Sequence, residues 1–419
     1  MSTLEIGDET KFHFSTNQIL SLAFNLILFL LPKEPRLIVS IGTAAPFSLR
    51  MIKEENQSET TRKESSSIPT ETQRPLFISL NADATLFAVG LANGFRIYSL
   101  SSSNPIKELY RQEYDEGGIG CIECLGQSNI VALVGGGERP RFPVNRVMLW
   151  DGKASKYAAE LDFRSPVLGL KISGEKLVVV LRSRLFVDGL SGGSVERLSV
   201  FDTHENETGV AAIVRGSMIA FPGRQRGCVQ VVDITSIDGT KFSTIVAAHK
   251  HPISALCLDP KGALLATAST KGTVVRVFEV ETSKLRHELR RGADAAEIQC
   301  LAFSKDSTKL LVSSDKGTAH IFSLKDEHTQ KALKNRESSL RRFKDILPSY
   351  FASEWSPAHA RTPPGRSIVC FLEDSSNALM VLSYDGTAYK FVYDPERGGP
   401  CIPDSATKFL LLSPNESTS

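Results

Sequence analysis

The chain has 419 residues, 41% hydrophobic and 23% charged, and its 49 basic and 47 acidic side chains leave a formal net charge of only +2. These are the proportions of an ordinary globular protein, and the near-balance of charge excludes a chain-wide polyanion binder. Nucleic acid is therefore not an expected partner, and attraction to any anionic surface has to come from a local patch.

Residues 1–73 read as an atypical N-terminal extension. Within it, Ile19–Leu31 is almost wholly apolar but spans only thirteen residues before Pro32. A membrane-crossing helix needs about 20. Glu5, Asp8 and Glu9 precede this stretch against a single Lys11, the wrong flank for a signal peptide. It reads instead as packed strand, a displaced first strand or an unusual extension. Residues 52–75 are polar, rich in Ser, Thr and Glu and without aromatics, which marks a disordered linker.

From residue 74 to 412 the pattern changes to short apolar stretches punctuated by Gly, Asp, Asn and Ser. Units begin at Phe77, Ile119, Val167, Val210, Ile253, Ile298 and Ile368, with spacings of 42, 48, 43, 43, 45 and 70 residues. Inside a unit the order recurs: Leu264–Ser269 then Gly272–Phe278, Leu310–Ser314 then Gly317–Phe322, Leu379–Ser383 then Gly386–Phe391. A period of about 40–45 residues with four strands per unit is the signature of a propeller blade. The expected fold is all-β, a seven-bladed β-propeller of degenerate WD repeats, since the Trp-Asp ending survives only at Trp150-Asp151. Residues 413–419 read as a disordered tail.

The seven cysteines at 121, 124, 228, 257, 300, 370 and 401 mostly sit in apolar runs, which fits reduced, buried thiols and a cytoplasmic protein. Cys121-x-x-Cys124 has no second pair and no histidine at metal spacing, so no metal is expected there. Gly135–Pro143 is glycine-rich but lacks a following Gly-Lys-Ser/Thr and reads as a turn. No catalytic constellation or cofactor motif appears, and the chain is not expected to be an enzyme.

Two features could carry chemistry. Arg290 and Arg291 are adjacent at the end of the fifth unit, and neighbours in an extended strand point to opposite sides. Each can therefore serve its own pocket. A guanidinium fork matches phosphate oxygens bidentately, and the nearby turns offer hydroxyls and glycine amides. The pair alone is also what a solvated strand end would show. The last spacing implies an insertion of about 25 residues beyond the blade period, within 325–366. Lys331–Leu347 has no Gly or Pro and places Leu333, Leu340, Phe343 and Leu347 near one helical face, ringed by Lys334, Arg341, Arg342 and Lys344. Tyr350, Phe351 and Trp355 follow. Such a basic amphipathic segment fits a membrane-interface element, or a helix capping its own blade.

Leu289-Arg290-Arg291-Gly292, together with Asn93–Tyr98, Leu133–Gly137, Pro143–Asp151 and Ala220–Arg224, resembles the PROPPIN family over most of the chain from about Arg74. Leu289 before the arginines and Leu347–Phe351 resemble its swollen-vacuole-phenotype branch. The resemblance implies a peripheral membrane protein of the vacuole, endosomes and cytoplasmic vesicles, holding phosphatidylinositol 3-phosphate and 3,5-bisphosphate in two rim pockets. By match to the motif, the first would use Thr267, Ser269, Gly272, Thr273, Arg276 and Arg290, and the second Arg291, Gly292, Ser314, Thr318 and His320. Leu340, Phe343, Leu347, Tyr350, Phe351 and Trp355 would enter the membrane. It further implies autophagy partners, a lipid-transfer protein among them, at the second and third blades. A WD-repeat scaffold with no lipid dependence is the competing expectation.

Overall fold

The computed structural model describes residues 2–4, 12–14 and 74–410, apart from 104, 127, 192, 235–241, 326–334, 336–352, 373–374 and 376. The chain divides into two units, Met1–Phe47 and Ser48–Ser419. In the first, Ser2–Leu4 and Phe12–Phe14 form an antiparallel pair. The apolar stretch 19–31 lies outside the described residues, and no helix among those described is long and apolar enough to cross a membrane.

Among the described residues, the second unit holds seven sheets, one per repeat, each built on four antiparallel strands. The blades begin at Phe77, Ile119, Gly169, Ala212, Ile253, Ile298 and Ser367, on or within two residues of the expected starts. In blades one and five the tight turn after the first strand is made by a side chain that reaches forward. Asn81 Oδ1 accepts from the amides of Thr85 and Leu86 at 3.0 and 2.9 Å. Asp259 Oδ1 accepts from Ala263 and Leu264, both at 2.7 Å. Short polar side chains compete for backbone donors in this way, which is why they punctuate the repeats.

The ring closes by packing. Blade one (77–113) and blade seven (367–408) each have four strands of their own, so no earlier segment is needed as a displaced first strand. Ile78, Phe87, Val89 and Tyr98 of blade one form one buried cluster with Cys370, Met380, Leu382 and Phe409. Burial of each large side chain there contributes about 1.5–3 kcal/mol. Tyr98 Oη donates to the Phe409 carbonyl at 2.8 Å across the joint. Between blades two and three the seam also carries charge: Lys171 Nζ pairs with buried Glu123.

Blades five and six gain a fifth strand. Blade five runs 253–258, 264–269, 274–279 and 285–290, and Glu354-Trp355 adds on in parallel, with Leu289 opposite Glu354 and Arg290 opposite Trp355. Blade six runs 298–303, 309–314, 318–323 and 358–361, with Gly399-Pro400 added beyond. The insertion thus lies between the third and fourth strands of blade six, and its return leg docks on blade five.

Candidate phosphate-binding rim between blades four, five and six

Arg290 ends the fourth strand of blade five and Arg291 begins the connection to blade six. Both are buried, 8% and 9% exposed. Burying a guanidinium without partners is costly, and each is compensated differently. Arg290 Nη2 donates to Ser353 Oγ at 3.2 Å. Arg291 Nε donates to the Gly272 carbonyl at 3.2 Å, and its Nη2 donates to the Asp294 carbonyl. Burial pulls the Arg291 guanidinium below its ordinary pKa, against the opposing pull of Asp315 and Asp294.

On the Arg290 side, cross-strand register lines up Thr267, Arg276 and Glu288 on one face of blade five, since Thr267 stands opposite Arg276 and Arg276 opposite Glu288. Period two puts Arg290 on the same face as Glu288, and Ser269 with Thr267. Arg276 donates through Nε and Nη2 to Glu288 Oε2 at 3.0 and 2.8 Å, and through Nη1 to the Ala248 carbonyl at 2.7 Å. Ser353 Oγ donates to Glu288 Oε1 at 2.8 Å. Thr267 is wholly buried, and its hydroxyl donates to the Arg276 carbonyl at 3.3 Å. His249, from the connection between blades four and five, sets Nε2 3.0 Å from Thr267 Oγ1 and 3.2 Å from the Thr267 carbonyl. A carbonyl only accepts, so Nε2 carries the hydrogen. Burial, with Arg276 nearby, lowers the His249 pKa to about 4 and keeps the ring neutral.

On the Arg291 side, Ser314 stands opposite Thr318, and Val312 opposite His320, in blade six. His320 Nε2 lies 3.2 Å from Thr318 Oγ1 and its Nδ1 2.8 Å from Ser356 Oγ. Burial, then His359 and Arg291, lower the His320 pKa to about 4. The buried hydroxyls of Ser313 and Ser314 have no hydrogen-bond partner among the described residues. Arg361 stands opposite Thr318 on the outer strand.

Gly272 joins the two sides. Its φ is +63°, and a Cβ there would lie 1.7 Å from the Ala296 carbonyl oxygen. Only glycine takes that turn without displacing the backbone. Thr273 and Ser269 are buried beside it, whereas a Cβ at Gly292 would meet nothing within 4 Å. Of the expected residues, Thr267, Arg276 and Arg290 thus share one face of blade five, and Thr318 and His320 hydrogen-bond to each other on blade six. Among the residues expected to enter a membrane, Trp355 is half-buried on the added strand opposite Arg290. Leu340, Phe343, Leu347, Tyr350 and Phe351, with the expected helix 331–347 except Asn335, lie outside the described residues.

Sequence reasoning missed His249, Glu288, Ser353 and the clamp beyond them. Asn335 donates to the Ser323 carbonyl at 2.6 Å and also to Glu354, and Glu354 Oε1 lies 3.1 Å from His287 Nδ1. Glu288 alone carried a signal, two places before Arg290 in a strand. The other contacts join residues far apart in sequence.

These features define a seven-bladed propeller whose adjacent arginines are held by different groups, Arg290 by Ser353 and Arg291 by the Gly272 and Asp294 carbonyls. The PROPPIN family model matches residues 76–340. An SVP1-like protein 2 of Pichia angusta is 37% identical over 285 residues, covering 66% of this chain and 78% of that protein. Autophagy-related protein 18e of Arabidopsis thaliana is 31% identical over 348 residues, covering 82% and 90%. Kluyveromyces lactis Hsv2 shares the fold, with a TM-score of 0.65 at 22% identity over 80% of this chain and 99% of Hsv2. The chain belongs to the PROPPIN family, whose members are propeller scaffolds, and membership implies an autophagy-related, phosphoinositide-binding role.

Proposed function

We propose that this protein attaches to membranes by holding phosphatidylinositol 3-phosphate and phosphatidylinositol 3,5-bisphosphate, one head group on each side of the Arg290–Arg291 pair. The observation that carries this reading is the division of the pair: Arg290 joins Ser353 and, through it, Glu288 and Arg276, whereas Arg291 holds the Gly272 and Asp294 carbonyls near His320 of blade six. A phosphomonoester brings about −1.5 to −2 charge and three acceptor oxygens, which suits guanidinium, imidazole and hydroxyl donors.

Bound this way, the protein acts as an effector on vacuolar, endosomal and vesicle membranes. The second and third blades remain available for autophagy proteins, a lipid-transfer partner included. Two pockets do not suffice, because a basic residue near an anionic surface is worth about 1 kcal/mol. Leu340, Phe343, Leu347, Tyr350 and Phe351 of the insertion add apolar burial. Trp355 supports the base of the insertion from its place beside Arg290. Flotation with vesicles containing phosphatidylinositol 3-phosphate tests the reading. The Arg290→Thr/Arg291→Thr double variant is expected to stay with the soluble fraction while keeping its thermal midpoint. Unchanged flotation would leave the scaffold alternative standing.

A further inference from the structure

The first pocket contains its own anion. Arg276 gives both Nε and Nη2 to one oxygen of Glu288, and the other oxygen accepts from Ser353, which in turn accepts from Arg290. Four side chains from three segments thus form one line, Arg276–Glu288–Ser353–Arg290. Ser353 is the member supplied by the return leg of the insertion, and it is 2% exposed. Arg276 and Glu288 keep 31% and 20% of their side-chain surface, so a ligand entering from solvent meets both. With His249 neutral, Glu288 offsets one of the two arginine charges in this line. The second pocket differs: Arg291 is hydrogen-bonded to the carbonyls of Gly272 and Asp294.

We propose that Glu288 is a resident counter-anion that sets the affinity of the first pocket and ties its arginines to the return leg of the insertion. The inference rests on the reading of this rim as a phosphomonoester site. An entering phosphate competes with Glu288 for Arg276, and the carboxylate repels it. The pocket is thereby held below the affinity that its two arginines alone would give. Ser353 keeps Arg290 and Glu288 in register, so the pocket and the base of the insertion are positioned together.

The test is titration of the full chain with soluble inositol 1,3-bisphosphate, the head group of phosphatidylinositol 3-phosphate, over a range of salt. Glu288→Gln keeps the shape and removes the charge. It is expected to bind about fivefold tighter, the worth of one partly exposed charge pair, and with a steeper salt dependence. Glu288→Asp, which keeps the charge, is expected to show no such gain. A purely structural role would yield a loss in both. Unchanged or weaker binding by Glu288→Gln at an unchanged thermal midpoint overturns the inference, as does an equal gain in Glu288→Asp. Should Glu288→Gln not fold, Arg276→Gln carries the test, because it leaves the carboxylate facing the phosphate uncompensated. A loss larger than that of Arg290→Thr supports the inference, and a smaller one or none overturns it. Arg290→Thr separates the two levels: if it leaves binding intact, the pocket reading itself has failed, whatever Glu288 does.

Discussion

The two sides of the arginine pair solve one problem in opposite ways. Arg290 is bridged by a serine to a carboxylate that also holds Arg276, so one of the two positive charges is offset before any ligand arrives. Arg291 is steadied by backbone carbonyls near a buried, neutral imidazole. Carbonyl dipoles orient a guanidinium without cancelling its charge, which Asp315 and Asp294 offset in part. Adjacent arginines of one strand end can thus differ in strength, and the difference comes from what their neighbours already satisfy.

Gly272 supports both sides, so replacing it is the most severe way to break the comparison. Gly272→Ala is expected to cost about 3 kcal/mol or more of stability, from backbone overlap and a positive φ. A fall in the urea midpoint, with loss at both pockets, checks this. Next comes the contrast itself. Arg291→Thr is expected to weaken head-group binding about tenfold more than Arg290→Thr, on the scale of one charge-assisted hydrogen bond. Calorimetric titration of the two single variants decides it, and equal losses would remove the asymmetry.

Acidity sharpens the comparison less strongly. His249 and His320 both fall from 6.5 to about 4 in the folded protein, mainly through burial. The fold therefore favours neutral rings. Their contribution to stability is complete above pH 6.5 and is lost as pH falls towards 4, at up to about 1.4 kcal/mol per pKa unit for each. Thermal midpoints across that range should decline accordingly. The smallest effect is that of Ser353→Ala, which removes the bridge but no charge. It is expected to cost about threefold in head-group affinity, confined to variants that retain Arg290.

Much of the fold was readable in advance because its signals are local. Seven apolar starts, Asn81- and Asp259-type turns and glycine at positive φ recur at a blade's spacing, and each is decided within a few residues. The opposite facing of Arg290 and Arg291 was readable for the same reason. Glu288 shared that alternation with Arg290, yet its meaning depends on Arg276, which stands opposite only because the turn between their strands sets that register. Trp355 shows the limit from the other direction. As sequence it ends an aromatic run; in the structure it stands on a strand opposite Arg290.

The alternation of side chains, the turn residues and the blade period belong to short-range backbone sterics and hydrogen bonding, and they were sufficient for the propeller and for placing an arginine on each side of a seam. Which groups each arginine meets was decided by long-range contacts. Ser353 meets Arg290 across 63 residues of chain and Glu288 across 65, while His249 arrives from the preceding connection. Charge balance in a buried pocket is a property of all the groups within a few ångströms, and only ring closure and the docking of the insertion's return leg bring those groups together.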